Sequence, residues 1–209
     1  MSEFPHPIDL IEPEFLLSAY ASGLFPMALD SGEIGWFAPD PRGVIPLDGF
    51  HIPKGLRRVL KKRPFEIRVD TAFLNVIEGC ADREETWISE TILRSYLELH
   101  RLGQAHSVEA WQDGELVGGL YGVRLRGAFF GESMFSRVSE ASKVCLVALV
   151  ERLKCGGFVL LDTQWNNSHL AQFGCEEIER EEYAAMLAEA MDDEGEWNSP
   201  TDMNSSLFI

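Results

Sequence analysis

The sequence predicts an α+β fold with its main domain over residues 65–190. Three observations carry that expectation. From residue 106 to 135 the chain alternates with period two across two tight turns, the pattern of an antiparallel meander. A stretch with helical spacing follows at 139–154. A short apolar run, Phe158-Val159-Leu160-Leu161, then ends on Asp162 and reads as a returning strand.

The elements follow in chain order. Residues 1–12 are rich in proline and read as extended chain. A first helix is predicted over 13–22, with Pro13 at its start, Gly23 just past its end, and an apolar stripe of Leu16, Leu17, Tyr20 and Leu24. Residues 30–50 are rich in Gly, Pro and Asp and read as loops with short strands. A helix over 53–62 closes before Pro64, and a strand runs over 65–69. Two further helices are predicted, 71–80 with Phe73, Val76, Ile77 and Cys80 inward, and 89–102 with Gly103 as its stop. Strands at 106–112 and 115–123 flank Asp113-Gly114, a two-residue hairpin turn, and a third strand covers 128–135. The helix at 139–154 buries Cys145, Ala148, Leu149 and Leu153, and a last helix spans 180–191. This reading divides the chain into an N-terminal domain (1–64), a main domain (65–191) and an acidic tail (192–209) that is expected to be mobile.

Composition narrows the function. The chain has 209 residues, 45% of them hydrophobic, enough for a sizeable core. Its longest apolar run, residues 144–150, is far short of the roughly 20 residues that span a bilayer. No signal peptide is evident at the start. Four scattered cysteines without a Cys-x-x-Cys pair fit free thiols in a reducing cytosol, and no metal site is expected. The net charge of −16 is unevenly placed: residues 176–209 hold 11 acids and one Arg. Residues 54–63 hold six bases and no acid. Two readings fit that basic stretch, a solvated helix face and a patch that captures a polyanion.

The residues suggest one chemical site. Glu132 sits among Phe129, Phe130, Met134 and Phe135, where a carboxylate needs either a cleft or a partner. Asp162 and Gln164 fall on one side of a continued strand. Ser133 lacks the second glycine of a nucleophile elbow, and no G-x-x-x-x-G-K-[ST] or G-x-G-x-x-G is present. Nucleotide-cofactor and serine-hydrolase chemistry therefore gain no support, and no cofactor is expected. What remains suits a transfer without a covalent intermediate. The basic helix would hold a polyanion carrying an activated ester, and the carboxylates would draw a cationic amine. A free α-amine titrates at roughly 7.7–8.0, so positioning rather than a strong base would carry the rate.

At this point the sequence resembles a known family. The motifs Gly23-Leu24-Phe25-Pro26, Pro39-Asp40-Pro41-Arg42, Trp87-Ile88, Leu116-Val117-Gly118-Gly119-Leu120-Tyr121-Gly122, Gly131-Glu132-Ser133-Met134-Phe135-Ser136-Arg137, Ala141-Ser142-Lys143 and Leu161-Asp162-Thr163-Gln164 look like those of leucyl/phenylalanyl-tRNA–protein transferases. The resemblance runs in order over residues 13–187 and also covers Gly103 to Glu109. It implies a small N-terminal α/β domain followed by a GNAT-like, acetyltransferase-related mixed-sheet domain.

The resemblance also implies an activity. A bacterial cytoplasmic enzyme, expected to be a monomer, would move Leu or Phe (less well Met) from aminoacyl-tRNA onto proteins with N-terminal Arg or Lys, making an N-degron. By match of motif, Asp162, Gln164 and Glu132 would serve the reaction. Gln164 would orient the amine or the ester carbonyl, Asp162 would fix Gln164, and Glu132 would hold the aminoacyl end. Leu120 and Phe129 would line the amino-acid pocket. Trp87 and Tyr96 would contact the terminal adenosine. Lys54, Arg57, Arg58, Lys61 and Lys62 would take the acceptor stem. Met27 stands where many members have Trp, and Trp165-Asn166-Asn167 after Gln164 is an unusual continuation. The rivals are another tRNA-dependent amide ligase, an acyl-CoA N-acyltransferase, and a non-enzymatic RNA-binding module. The second would want a glycine-rich pyrophosphate loop before the helix at 139, where Phe135-Ser136-Arg137-Val138 stands instead.

Overall fold

Helices cover both faces of a seven-stranded sheet, so its central strands are buried on two sides. The computed structural model describes residues 10–198. Helix α1 (Pro13–Ala21) starts on proline, and Gly23 follows it at φ +76°. Strands β1 (Phe25–Ala28) and β2 (Ile34–Phe37) form a separate antiparallel hairpin. Then come β3 (Arg42–Val44), α2 (Lys54–Lys62), β4 (Glu66–Val69), α3 (Phe73–Ala81) and α4 (Glu90–Arg101), the last capped by the Ser89 side chain. The meander is β5 (Ala105–Gln112), β6 (Glu115–Leu125) and β7 (Ala128–Ser136). Asp113 and Gly114 both take positive φ, as a two-residue hairpin turn demands. Helix α5 (Ala141–Cys155), β8 (Leu160–Gln164), α6 (Ser168–Ala171), β9 (Glu176–Ile178) and α7 (Arg180–Asp192) complete the order.

The sheet order is β4-β5-β6-β7-β8-β3-β9. All its pairs are antiparallel except β7 with β8, which the crossover through α5 makes parallel. This is the mixed sheet that the sequence led us to expect. One face packs on α5 and α2 through Leu146, Leu149, Leu153, Leu56 and Leu60. The other packs on α1, α3, α4 and α7, with Leu16, Val76, Ile92 and Leu187 among the buried residues. Helix α5 buries more than the predicted stripe, because the sheet covers one side and α2 the other.

Two expectations differ from what the fold shows. The boundary at 64/65 is not a boundary in the sheet. β3, from the N-terminal part, lies between β8 and β9 and pairs with both. A three-residue strand carries no periodicity by which to recognise it. The acidic tail is also anchored beyond α7. Trp197 is 1% exposed, stacks on His106 and Phe129, and donates from Nε1 to Asp70 Oδ2 at 2.9 Å. The Arg152 guanidinium donates to the Trp197 carbonyl. One large apolar ring outweighs the polar composition around it. Residues 1–9 and 199–209, also covered by those expectations, lie outside the described residues.

Asp70, His100 and His106 meet beneath this ring. Three of their four ring nitrogens are engaged within the protein: His106 Nδ1 with Asp70 at 2.8 Å, His106 Nε2 with the Gly103 carbonyl at 3.2 Å, and His100 Nδ1 with the Ala105 carbonyl at 2.8 Å. Glu109 is a second buried acid with a structural task. It accepts from the backbone N–H groups of Thr71 (2.9 Å) and Ala72 (2.8 Å), which lead into α3. No helix among the described residues is long and apolar enough to cross a membrane. The four cysteines are free thiols.

Candidate active site

The pairing of β7 with β8 ends at Phe130 opposite Asp162, yet β7 runs on to Ser136 and β8 to Gln164. The two parallel strands therefore part, and a cleft of about 440 Å³ opens between them. Local sequence explains the parting on both sides. On β7, Tyr121 pairs with Ser133 and Gly122 with Gly131, so Glu132 is the extra residue of a β-bulge. A bulge bends its strand and re-aims a side chain. Gly122 permits it, since a Cβ there would lie 2.3 Å from the Phe130 carbonyl oxygen. On β8, Gln164 takes φ +67°, a left-handed conformation that is uncommon for a residue with a side chain and recurs at functional sites. Gly43 makes room for that turn; a Cβ there would meet the Trp165 backbone at 2.5 Å.

One wall of the cleft is apolar, built from Leu120, Met134, Leu146, Leu149, Leu161 and Leu170. Glu132 and Gln164 supply polar groups, and the Gln164 amide donates to Glu132 Oε1 at 3.0 Å. The same oxygen accepts from the Tyr20 hydroxyl at 2.7 Å, and Oε2 accepts from the Tyr96 hydroxyl at 3.0 Å. The Tyr20 and Tyr96 hydroxyls also hydrogen-bond to each other. Burial pushes the Glu132 carboxyl up to about 7, against the pull of these three donors and with nearby Asp162 adding to the rise. Both protonation states are then accessible near neutral pH.

Asp162 has no exposed surface. It is gripped by Arg42 through Nε at 2.9 Å and Nη2 at 2.7 Å, by the Tyr183 hydroxyl at 2.6 Å, and by the Gln164 backbone N–H at 2.8 Å. Arg42 also donates from Nη1 to the Gly23 carbonyl at 2.9 Å and lies over the rings of Phe25 and Tyr183. Burial works against the Arg42 charge, but the hydrogen bonds and charge of Asp162 prevail and hold the guanidinium protonated. Burial, then Asp162, pushes the Tyr183 hydroxyl well up. Asp162 thus sits behind the cleft and fixes the backbone of Gln164.

The remaining predicted residues fall into three groups. Leu120 lines the apolar wall, and Trp87 borders the cleft. Tyr96 and Phe129 do not reach it: both have no exposed surface. Tyr96 is committed to Glu132 and packs on Tyr121, so it offers no ring face to an adenosine. Phe129 points to the α5 side and stacks on Trp197, so it lines no amino-acid pocket. Lys54, Arg57, Arg58, Lys61 and Lys62 are all exposed along α2, while Leu56 and Leu60 turn inward. Helix α2 packs on α5, whose Leu146 and Leu149 line the cleft.

Several site residues escaped the sequence reading. Tyr20 was legible only as part of an apolar stripe. Arg42 stood in a noted motif without a role. Trp165, 43% exposed and held edge-on against Phe25, lines the cleft beside Gln164. Tyr20 and Arg42 lie 112 and 120 residues from their carboxylates, so no local pattern links them.

Comparisons with known proteins bear on the chain as a whole. A family model described as leucyl/phenylalanyl-tRNA protein transferase matches residues 44–188. A second, described as the N-terminal domain of that protein, matches residues 9–40. Three relatives carry the name leucyl/phenylalanyl-tRNA–protein transferase. The one from Salinibacter ruber is 55% identical over 190 residues, covering 90% of this chain and 84% of its own. That from Herpetosiphon aurantiacus is 56% identical over 182 residues, covering 87% and 95%. That from Paramagnetospirillum magneticum is 58% identical over 184 residues, covering 85% and 88%. Among solved structures, L-PGS from Bacillus licheniformis is similar at 15% identity and a TM-score of 0.43, covering 95% of this chain and 63% of that one, a likeness that carries no functional weight. The matched family models and the identity to these relatives together show that the chain belongs to the leucyl/phenylalanyl-tRNA–protein transferase family.

Proposed function

We propose that the chain transfers Leu or Phe, and weakly Met, from aminoacyl-tRNA to the N-terminal Arg or Lys of acceptor proteins, and that the cleft between β7 and β8 is where the two substrates meet. The observation that carries this reading is a carboxylate and an amide, Glu132 and Gln164, facing one apolar wall. The wall suits the side chain of Leu or Phe. Trp87 and Trp165 offer ring surface to the terminal adenosine or the acceptor. The exposed bases of α2 take the phosphates of the acceptor stem.

Catalysis then rests on placement. Gln164, locked through Asp162 and Arg42, orients the amine against the ester carbonyl. The amine nitrogen bonds to the carbonyl carbon, the bond to the ribose oxygen breaks, and that oxygen leaves with a proton from the nitrogen. The product carries one more residue at its N-terminus and serves as an N-degron. We further propose that the enzyme works as a monomer in the cytoplasm. The test mixes the protein with charged Leu-tRNA and a peptide beginning with Arg, and reads the product by mass spectrometry. Addition of one Leu to this peptide, and none to a peptide beginning with Asp, is expected. No addition from Leu-tRNA or Phe-tRNA by folded protein would overturn the reading and favour another tRNA-dependent amide ligase.

A further inference from the structure

Counting protons around Glu132 gives a result that its hydrogen bonds do not announce singly. The Tyr20 hydroxyl, the Tyr96 hydroxyl and the Glu132 carboxyl make three mutual contacts: Tyr20 with Tyr96, Tyr20 with Oε1, and Tyr96 with Oε2. Each contact requires one hydrogen. Two phenols supply two, because each hydroxyl has a single proton to donate. With Glu132 ionised, one contact sets lone pair against lone pair. With Glu132 protonated, three protons fill three contacts and the ring closes, each oxygen acid donating once.

We propose that Glu132, Tyr20 and Tyr96 form a proton-accepting ring that takes up the proton shed by the incoming α-ammonium group. This rests on the transfer reading given above. Glu132 is the catalytic member, and Tyr20 and Tyr96 are positioning residues. The step balances. The ammonium gives one proton to the Glu132 carboxylate and becomes a neutral amine. The amine attacks the ester carbonyl, and its second departing proton leaves with the ribose oxygen. Glu132 returns its proton to water after the product departs.

The surroundings support this assignment. Glu132 borders the cleft and is hydrogen-bonded to Gln164, so the acceptor amine and the ring share one place. Other charged or titratable groups lie nearby, His169 on the cleft lining among them. Asp162 lies behind Gln164 with its charge matched by Arg42. The Tyr121 ring packs edge-on against Tyr96 and Phe73 with its hydroxyl buried and without a hydrogen-bond partner among the described residues, Cys80 is buried on α3, and Arg83 reaches Ser133 at 3.1 Å. Burial pushes the Tyr20 and Tyr96 hydroxyls well up, so both keep their protons while Glu132 exchanges its own. Burial also brings the Glu132 carboxyl to about 7, close to an α-amine at roughly 7.7–8.0, so the proton moves with little cost.

Two readouts test the proposal. Single-turnover transfer of Leu from tRNA to an Arg-peptide is followed between about pH 6 and 8.5, spanning the titration of the amine. Glu132→Gln is expected to be at least about 10-fold slower at neutral pH, with the gap closing as the amine loses its own proton, consistent with the size of general-base effects. A deficit equal at every pH would overturn the proposal. Infrared difference spectra of the protein alone give the second readout. A protonated-carboxyl band is expected to grow as pH falls through about 7, to be absent from Glu132→Gln, and to shift in Tyr20→Phe and Tyr96→Phe, which open the ring. Its absence in the wild type would overturn the ring even where transfer is intact. Its presence without any transfer would keep the ring and sink the transfer reading instead.

Discussion

A carboxylate with no access to water keeps its charge only if the protein supplies its donors. Arg42, Tyr183 and the Gln164 backbone do this for Asp162, and by doing so they set the left-handed turn at Gln164. Arg42→Met is therefore expected to cost about 3–5 kcal/mol in urea unfolding, the range for a buried pair deprived of one partner. It should also slow transfer by loosening Gln164. Glu132 shows the opposite logic. Its carboxyl titrates near 7 when folded, against about 4.3 in an unfolded chain, so the folded state holds the proton more tightly. That contribution is fully present below about pH 4.3 and is lost as pH rises through 7. The unfolding free energy of wild type is expected to fall across that window relative to Glu132→Gln, as denaturant midpoints measured against pH would reveal. At this scale the sequence was half legible. Glu132 stood out by its apolar setting and Gln164 by its alternation with Asp162, whereas Tyr20 and Arg42 gained meaning only when the chain folded back over more than 100 residues.

Among elements, strong periodicity was readable and short strands were not. The helices at α1, α2, α4, α5 and α7 and the β5–β7 meander lie within a few residues of their predicted bounds. β3 and β9, three residues each, have no pattern of their own and are defined by the edge of β8 that they extend. The bulge at Glu132 was equally hidden, although the glycines around it hinted at close backbone approach. Helix α2 illustrates how an element divides its labour. Leu56 and Leu60 hold it to the core, leaving Lys54, Arg57, Arg58, Lys61 and Lys62 exposed, with Arg57 Nε donating to the Ile52 carbonyl at 2.9 Å. The triple change Arg58→Glu, Lys61→Glu, Lys62→Glu should thus weaken tRNA binding and lower the slope of log affinity against log salt by about 2–3, with little effect on thermal unfolding. An unchanged salt slope would return this face to mere solvation.

On the scale of the molecule, net charge and local charge act separately. The chain carries −16 overall, with 11 of its 34 acids in the C-terminal 34 residues, while the bases of α2 stand apart. The proposed tRNA substrate would then meet one positive face on an otherwise acidic protein. The C-terminal part also closes the core. Trp197 joins the tail to β5, β7 and α5 through His106, Phe129 and Arg152, which composition alone concealed. Trp197→Ala is expected to cost about 3–5 kcal/mol of stability by denaturant unfolding, the range for deleting a buried aromatic side chain.

The proposed transfer requires Gln164 at the meeting point of ester and amine. Single-turnover transfer by Gln164→Ala, with tRNA affinity measured on the same preparation, tests it most directly. We expect transfer to fall by about 100-fold, as displacement of a positioning group does, with tRNA affinity unchanged. A variant that binds tRNA and transfers at the wild-type rate would contradict the placement of the reaction between β7 and β8.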